Sequence, residues 1–186
     1  MIKTKDSEHK QTLVSNRIIN VLRGNPDGPT VVFFGGVHGN EPAGVQAIGK
    51  AFGTIQNTGQ TVQGTVYGIA GNLTALGRGI RYQTEDLNRI WNPDRIEEIK
   101  KAKAISLQDE EQELREIYEQ LQFILNHNSP PFYFIDIHTT SSPTSPFIVM
   151  NDSLLNRRFT NHYPLPKVLG IEEYLHGALL SFINEM

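Results

Sequence analysis

Four consecutive apolar residues, Val31-Val32-Phe33-Phe34, run directly into Gly35-Gly36-Val37-His38-Gly39-Asn40-Glu41-Pro42, and this stretch constrains the chain most. A run of four that is β-branched and aromatic is too short for a helix and reads as a buried strand. Two glycines without a Cβ allow a sharp turn or a close backbone approach. Pro42 suits the first position of a helix, where no N–H is needed. The unit is therefore strand, loop, helix. It holds His38 and Glu41 beyond the carboxyl end of a strand, where open α/β sheets place their ligand sites.

A histidine and a glutamate three residues apart offer one imidazole nitrogen and one carboxylate oxygen, both suited to Zn²⁺. The same spacing also describes a surface histidine beside a helix-capping carboxylate. A second element adds weight to the metal: Phe132-Tyr133-Phe134-Ile135-Asp136-Ile137-His138 is another apolar strand ending in histidine. Two ligands close in sequence with a third far away is a frequent design for a catalytic zinc site with an open fourth position. With no cysteine in the chain, disulfides and thiolate ligands are excluded, so a metal must be held by histidine and carboxylate.

Three segments together resemble the succinylglutamate desuccinylase/aspartoacylase family, a branch of the zinc carboxypeptidase-like hydrolases. They are Gly36-Val37-His38-Gly39-Asn40-Glu41, then Arg81-Tyr82 with Asp86-Leu87-Asn88-Arg89, then Asp136-Ile137-His138-Thr139-Thr140. They occur in the family's order and span roughly residues 30 to 150. The resemblance implies a three-layer α/β/α sandwich with a mixed central sheet, and one Zn²⁺ per chain on His38, Glu41 and His138. It also implies Arg81 as the cation that stabilises charge on the carbonyl oxygen, and Asn88 and Arg89 as the holders of a substrate carboxylate. The implied substrate is a small anionic N-acyl amino acid of the N-succinylglutamate or N-acetylaspartate type. A metallocarboxypeptidase acting on peptides and a non-catalytic zinc- or carboxylate-binding module are the alternatives. Read without the family, Arg81 and Arg89 are more often surface arginines.

The family's general base is a glutamate on a strand well downstream of the second histidine. The late glutamates here, Glu172, Glu173 and Glu185, lack that strand's glycine-flanked context. The expectation is one domain over residues 1 to 186, either an amino-terminal portion of the family's catalytic unit or a naturally short, altered member, and a chain that binds metal better than it catalyses.

The rest of the chain reads as alternating strands and helices, which points to an α/β layer fold. Strands are expected at residues 18 to 22, 61 to 70, 132 to 138 and 147 to 150, and helices at 42 to 52, 106 to 126, 153 to 159 and 177 to 186. Residues 1 to 11 read as frayed. The segment from Asp86 to Pro93 is too rich in turn formers for a regular element and suits recognition. Ser106 and Asp109 form a loose helix-start box. Glu110, Glu111, Arg115, Glu116 and Glu119 read as the solvated face of the helix that follows, and His127 as a histidine favoured at its C-terminus. Asp136, two residues before His138 on a strand, points to the same face. It is either a group behind the metal or a buried aspartate bonded to backbone. Thr139 to Pro146 either lines the site or merely connects.

A formal net charge of −3 gives no broad attraction for nucleic acid or anionic membrane. No apolar run approaches the roughly 20 residues that span a bilayer. Met1 to Lys10 is polar, without a signal-peptide core, so cytoplasmic residence is the expectation.

Overall fold

The computed structural model describes residues 16–171 and 174–186. The expectations for residues 1 to 11, and for Glu172 and Glu173, lie outside the described residues.

A four-stranded sheet forms the centre, in the order β1 (Ile18–Arg23), β3 (Thr65–Ala70), β2 (Thr30–Gly35), β4 (Phe132–Ile137). β2 runs parallel to both β3 and β4, and β1 is antiparallel to β3, so the sheet is mixed. Period-2 alternation on β2 divides the core. Val32 and Phe34, both fully buried, face helices α3 (Pro93–Lys101), α4 (Asp109–His127) and α6 (Leu179–Glu185) through Ile96, Ile99, Leu114, Ile117, Leu121 and Leu179. Phe33 faces the other way, toward Ile48 and Phe52 of α1 (Pro42–Asn57). Helices cover both faces, which makes the expected α/β/α sandwich.

The topology explains where the site lies. From β2 the chain passes through α1 to β3 on one side, and from β3 it eventually crosses to β4 on the other. β2 is therefore a switch point, and the crevice beyond its carboxyl end is the place for a ligand. Parallel register pairs Gly35 with Ala70 and with Ile137, so three strands end at one level. The loop carrying His38 and the residue His138 must then emerge side by side.

Several boundaries differ from the sequence reading. β3 starts at Thr65 instead of residue 61, because Gly64 turns at φ +106°, where a Cβ would collide with Pro29 O. α1 continues to Asn57, one turn beyond Phe52. α4 begins at Asp109, where the Glu111 side chain accepts from Gln108 N (3.3 Å). Ser106 instead ends a separate 3₁₀ turn, so the box lies two residues later than Ser106 and Asp109 suggested. The stretch 86 to 93 does hold a regular piece, a 3₁₀ turn at Leu87–Arg89, and Pro93 opens α3 behind the Asn92 cap. α3 buries only Ile96 and Ile99, too sparse an apolar pattern to stand out. A short helix, α2 (Leu73–Arg78), follows β3 and is capped by Asn72.

Toward the carboxyl end, β5 (Ile148–Val149) pairs in parallel with β6 (Lys167–Val168), flanking α5 (Leu154–Thr160), which Ser153 caps. Among the described residues no helix is long and apolar enough to cross a membrane.

Candidate metal centre

β2 ends at Gly35, and Gly36 follows with φ +71°, a left-handed conformation that suits glycine. A Cβ there would also meet the Leu76 side chain at 2.8 Å. The chain then closes a turn, with Glu41 N donating to His38 O (3.0 Å), before Pro42 starts α1. Glu41 occupies the cap position but makes no side-chain capping bond. Its carboxylate is free to point at the histidines.

His38 Nδ1 lies 2.9 Å from Glu41 Oε1, and His138 Nδ1 lies 3.2 Å from Glu41 Oε2. The two imidazole rings stand 5.1 Å apart, centroid to centroid. One donor atom from each of the three residues falls within 4.8 Å of the others. Ligand atoms about 2.0–2.1 Å from a tetrahedral zinc are themselves about 3.3 Å apart, a separation the two histidine–glutamate contacts match, while the trio as a whole is more widely spread.

Each histidine is backed by an aspartate on its far side. His38 Nε2 meets Asp86 Oδ1 at 2.9 Å, and His138 Nε2 meets Asp136 Oδ2 at 2.6 Å. With a metal bound, these carboxylates would hold a proton on each Nε2 and leave the Nδ1 lone pairs to the ion, the usual arrangement behind metal-bound histidines; Arg81 Nη2 also lies 3.0 Å from His38 Nε2. Of the two readings of Asp136, the structure favours the one that backs the histidine over the backbone-bonded one. Asp86 was not singled out from sequence as a site residue. Its place inside the Arg81-to-Arg89 segment was the signal, but contact with His38, 48 positions away, is a tertiary fact.

The electrostatics follow from these contacts. Burial by itself would raise the Glu41 carboxyl, but the Thr139 N–H and the two histidines outweigh it and hold it below the ordinary value. Burial likewise opposes the charge on Asp86, and bonds from His38, Arg81 and the Asn88 N–H drive it well below the carboxylate range. Burial would lower His138, yet Asp136 and Glu41 together lift it to about 9. Two carboxylates around one imidazole thus create a strong demand for positive charge, which a proton or a divalent cation can meet.

Arg81 joins this cluster. Its Nη2 donates to Asp86 Oδ2 at 2.9 Å, so the carboxylate bridges His38 and Arg81 with one oxygen each. Its side chain is 45% exposed, leaving guanidinium donors open to the crevice. Gly39 N donates to Arg81 O (3.0 Å), tying the two loops together. Thr139 N donates to Glu41 Oε2 (2.6 Å), so the loop after β4 lines the site at its start.

Asn88 and Arg89 sit differently. Asn88 Oδ1 accepts from Leu179 N (2.9 Å) at the start of α6, and Arg89 Nη1 donates to Asn88 O (2.7 Å). Arg89 is exposed, and among the described residues neither side chain bonds the His38, Glu41, His138 trio. Glu185 closes α6 as an exposed residue. His127 does stand at the C-terminus of α4, its Nδ1 on Phe123 O (2.8 Å).

Residues 27–169 match the succinylglutamate desuccinylase/aspartoacylase catalytic domain. The chain belongs to this family. The succinylglutamate desuccinylase of Chromobacterium violaceum superposes with a TM-score of 0.66 at 17% identity, over 88% of this chain and 50% of that one. The succinylglutamate desuccinylase of Vibrio cholerae is matched at 21% identity with a TM-score of 0.46, over 61% of this chain and 31% of that one. The first of these shares the family fold with this chain. The chain spans about half the length of that solved relative.

Proposed function

We propose that this family member is a zinc-dependent amidohydrolase that removes an acyl group from a small anionic N-acyl amino acid of the N-succinylglutamate or N-acetylaspartate type. The observation that carries this reading is the convergence of His38 Nδ1, Glu41 and His138 Nδ1, with an aspartate behind each ring. This donor set of two imidazoles and a carboxylate, without thiolates, suits a catalytic zinc. When bound, the ion would supply a water of lowered pKa and would polarise the carbonyl.

The remaining work falls to the chain. Arg81, held by Asp86 at the mouth of the crevice, is placed to donate to the carbonyl oxygen as negative charge builds there. Asp86 keeps the proton on the outer nitrogen of His38, and Asp136 does so for His138. Arg89, with its exposed guanidinium, suits a planar two-point grip on a substrate carboxylate, while Asn88 keeps an amide NH₂ for the same group.

The test combines metal analysis of the purified 186-residue chain with a screen of N-acyl amino acids. The expected result is one zinc per chain, lost in His138→Ala, with any turnover confined to acidic substrates and slow for want of the general base. A chain that takes up no zinc overturns the reading.

A further inference from the structure

The face of α4 read from sequence as solvated contains a carboxylate with no exposure at all. Glu110 is 0% exposed, and Glu113, one turn later, is 4% exposed. Glu110 lies one turn before Leu114 and two before Ile117, on the same buried stripe of α4, and the segment from Asn72 to Glu85 covers it there. A charged group so deeply buried must have its charge answered.

Glu110 is answered by neutral donors. Oε1 accepts from Asn72 Nδ2 (2.9 Å) and Gln83 N (2.7 Å), and Oε2 accepts from Thr84 N (3.1 Å) and Thr84 Oγ1 (2.9 Å). With Glu85 N at a longer 3.5 Å on Oε2, these donors fill the roughly four acceptor sites of an ionised carboxylate. These bonds outweigh the opposing effect of burial and keep the group ionised below its ordinary value. Glu113 does a separate job, accepting from Leu73 N (3.1 Å) and Thr74 N (2.9 Å) at the start of α2, with Arg17 as its cation.

The donors on Glu110 belong to two segments that meet at the metal centre. Asn72 N donates to Gly36 O (2.9 Å), inside the loop that leads to His38. Gln83 and Thr84 lie between Arg81 and Asp86. From Gly79 to Asp86 no side chain is buried, and the first anchor afterwards is Leu87. Hydrophobic packing therefore does not fix this loop. Besides Glu110, it is held by the Gly39–Arg81 and Ile80–Ala75 backbone bonds, by the Glu85–Arg95 ion pair and by Asp86 on His38.

We infer that Glu110 is a positioning residue for the metal centre: its buried carboxylate clamps the Gln83–Thr84 backbone and so sets Asp86 and Arg81 against His38. The inference rests on the reading of His38, Glu41 and His138 as a metal site. Glutamine cannot replace Glu110, because its NH₂ would face donors on one side of the clamp.

Zinc affinity of the full 186-residue chain, measured by competition with a chromophoric chelator, tests this. Groups that orient a ligating histidine typically contribute about 10–100-fold in metal affinity. Asp86→Asn is expected to lose that much, and Glu110→Gln about tenfold. Because Glu110 acts through Asp86, adding Glu110→Gln to Asp86→Asn should cost little more. Glu110→Asp keeps the anion and should recover part of the loss.

Leu121→Ala is the control. It lies about 16 Å further along α4, so it should lower thermal stability yet leave zinc affinity intact. Should Glu110→Gln fail to fold, Thr84→Val removes one hydroxyl donor and should give a smaller loss, again absent in the Asp86→Asn background.

Amide exchange in the metal-free chain supplies the second readout. Glu110→Gln should speed exchange at Gln83, Thr84 and Asn88 beyond what Leu121→Ala does. Wild-type zinc affinity in Glu110→Gln, or losses that multiply independently with Asp86→Asn, overturns the inference. A wild-type chain that takes up no zinc overturns the metal-site reading instead, and the exchange rates still judge the clamp.

Discussion

Asp136 Oδ2 lies 2.6 Å from His138 Nε2, while its Oδ1 is buried without a hydrogen-bond partner among the described residues. An aspartate with one oxygen committed to a histidine and the other unanswered is placed for that histidine. Asp136→Asn should therefore weaken zinc binding by about 10–100-fold. Chelator competition measures it, and unchanged affinity would show that the aspartate plays no part in orienting the ring.

Zinc itself should stabilise the fold. Its ligands come from the loop after β2 and the end of β4, so the ion ties together neighbouring strand ends. Free zinc at a hundred times its Kd should add about 2.7 kcal/mol. For a chain of this size that corresponds to roughly 5–10 °C in Tm. A thermal scan with and without chelator checks this, and His138→Ala should abolish the shift.

Arg89 is the next test, now of substrate charge. Replacing it with lysine keeps the charge but loses the planar fork, so KM for an acidic N-acyl amino acid should rise about tenfold or more, with kcat little changed. Steady-state kinetics on paired acidic and neutral substrates measures it. Equal use of both substrates, with no effect of Arg89→Ala, would remove Arg89 from recognition.

Stability in acid should depend on Glu110. Its carboxyl is held below the ordinary value of 4.5, so the folded state favours the charged form. The stabilisation is complete above that pH and is lost as pH falls through the lower folded-state value. Glu110→Gln should therefore destabilise the chain by about 1–3 kcal/mol at neutral pH, and by less and less below pH 4.5. Urea unfolding at a series of pH values checks this. A constant difference at all pH values would show that the lost charge is not the cause.

The local order of the chain determined much of the fold and the centre of the site. A four-residue apolar run before two glycines could only be a short strand and a turn, and the second such strand ended in histidine. The four strands of the central sheet and the candidate trio His38, Glu41 and His138 were legible in pattern, because period-2 burial and ligand chemistry are written in nearby residues, whereas the mixed sheet came from the family resemblance and the short β6 was not foreseen. What faces what was decided only by tertiary structure. Parallel register brings His138 beside Glu41, a relation between strands that are 97 positions apart. Asp86 behind His38 has the same origin. Glu110 is the clearest case: its charge reads as solvent-facing, although its spacing puts it on the stripe of Leu114 and Ile117, and only residues 72 to 85 bring the donors that let it stay buried. Helical periodicity tells which side of a helix is covered, but not which polar partners the covering segment offers a charge there.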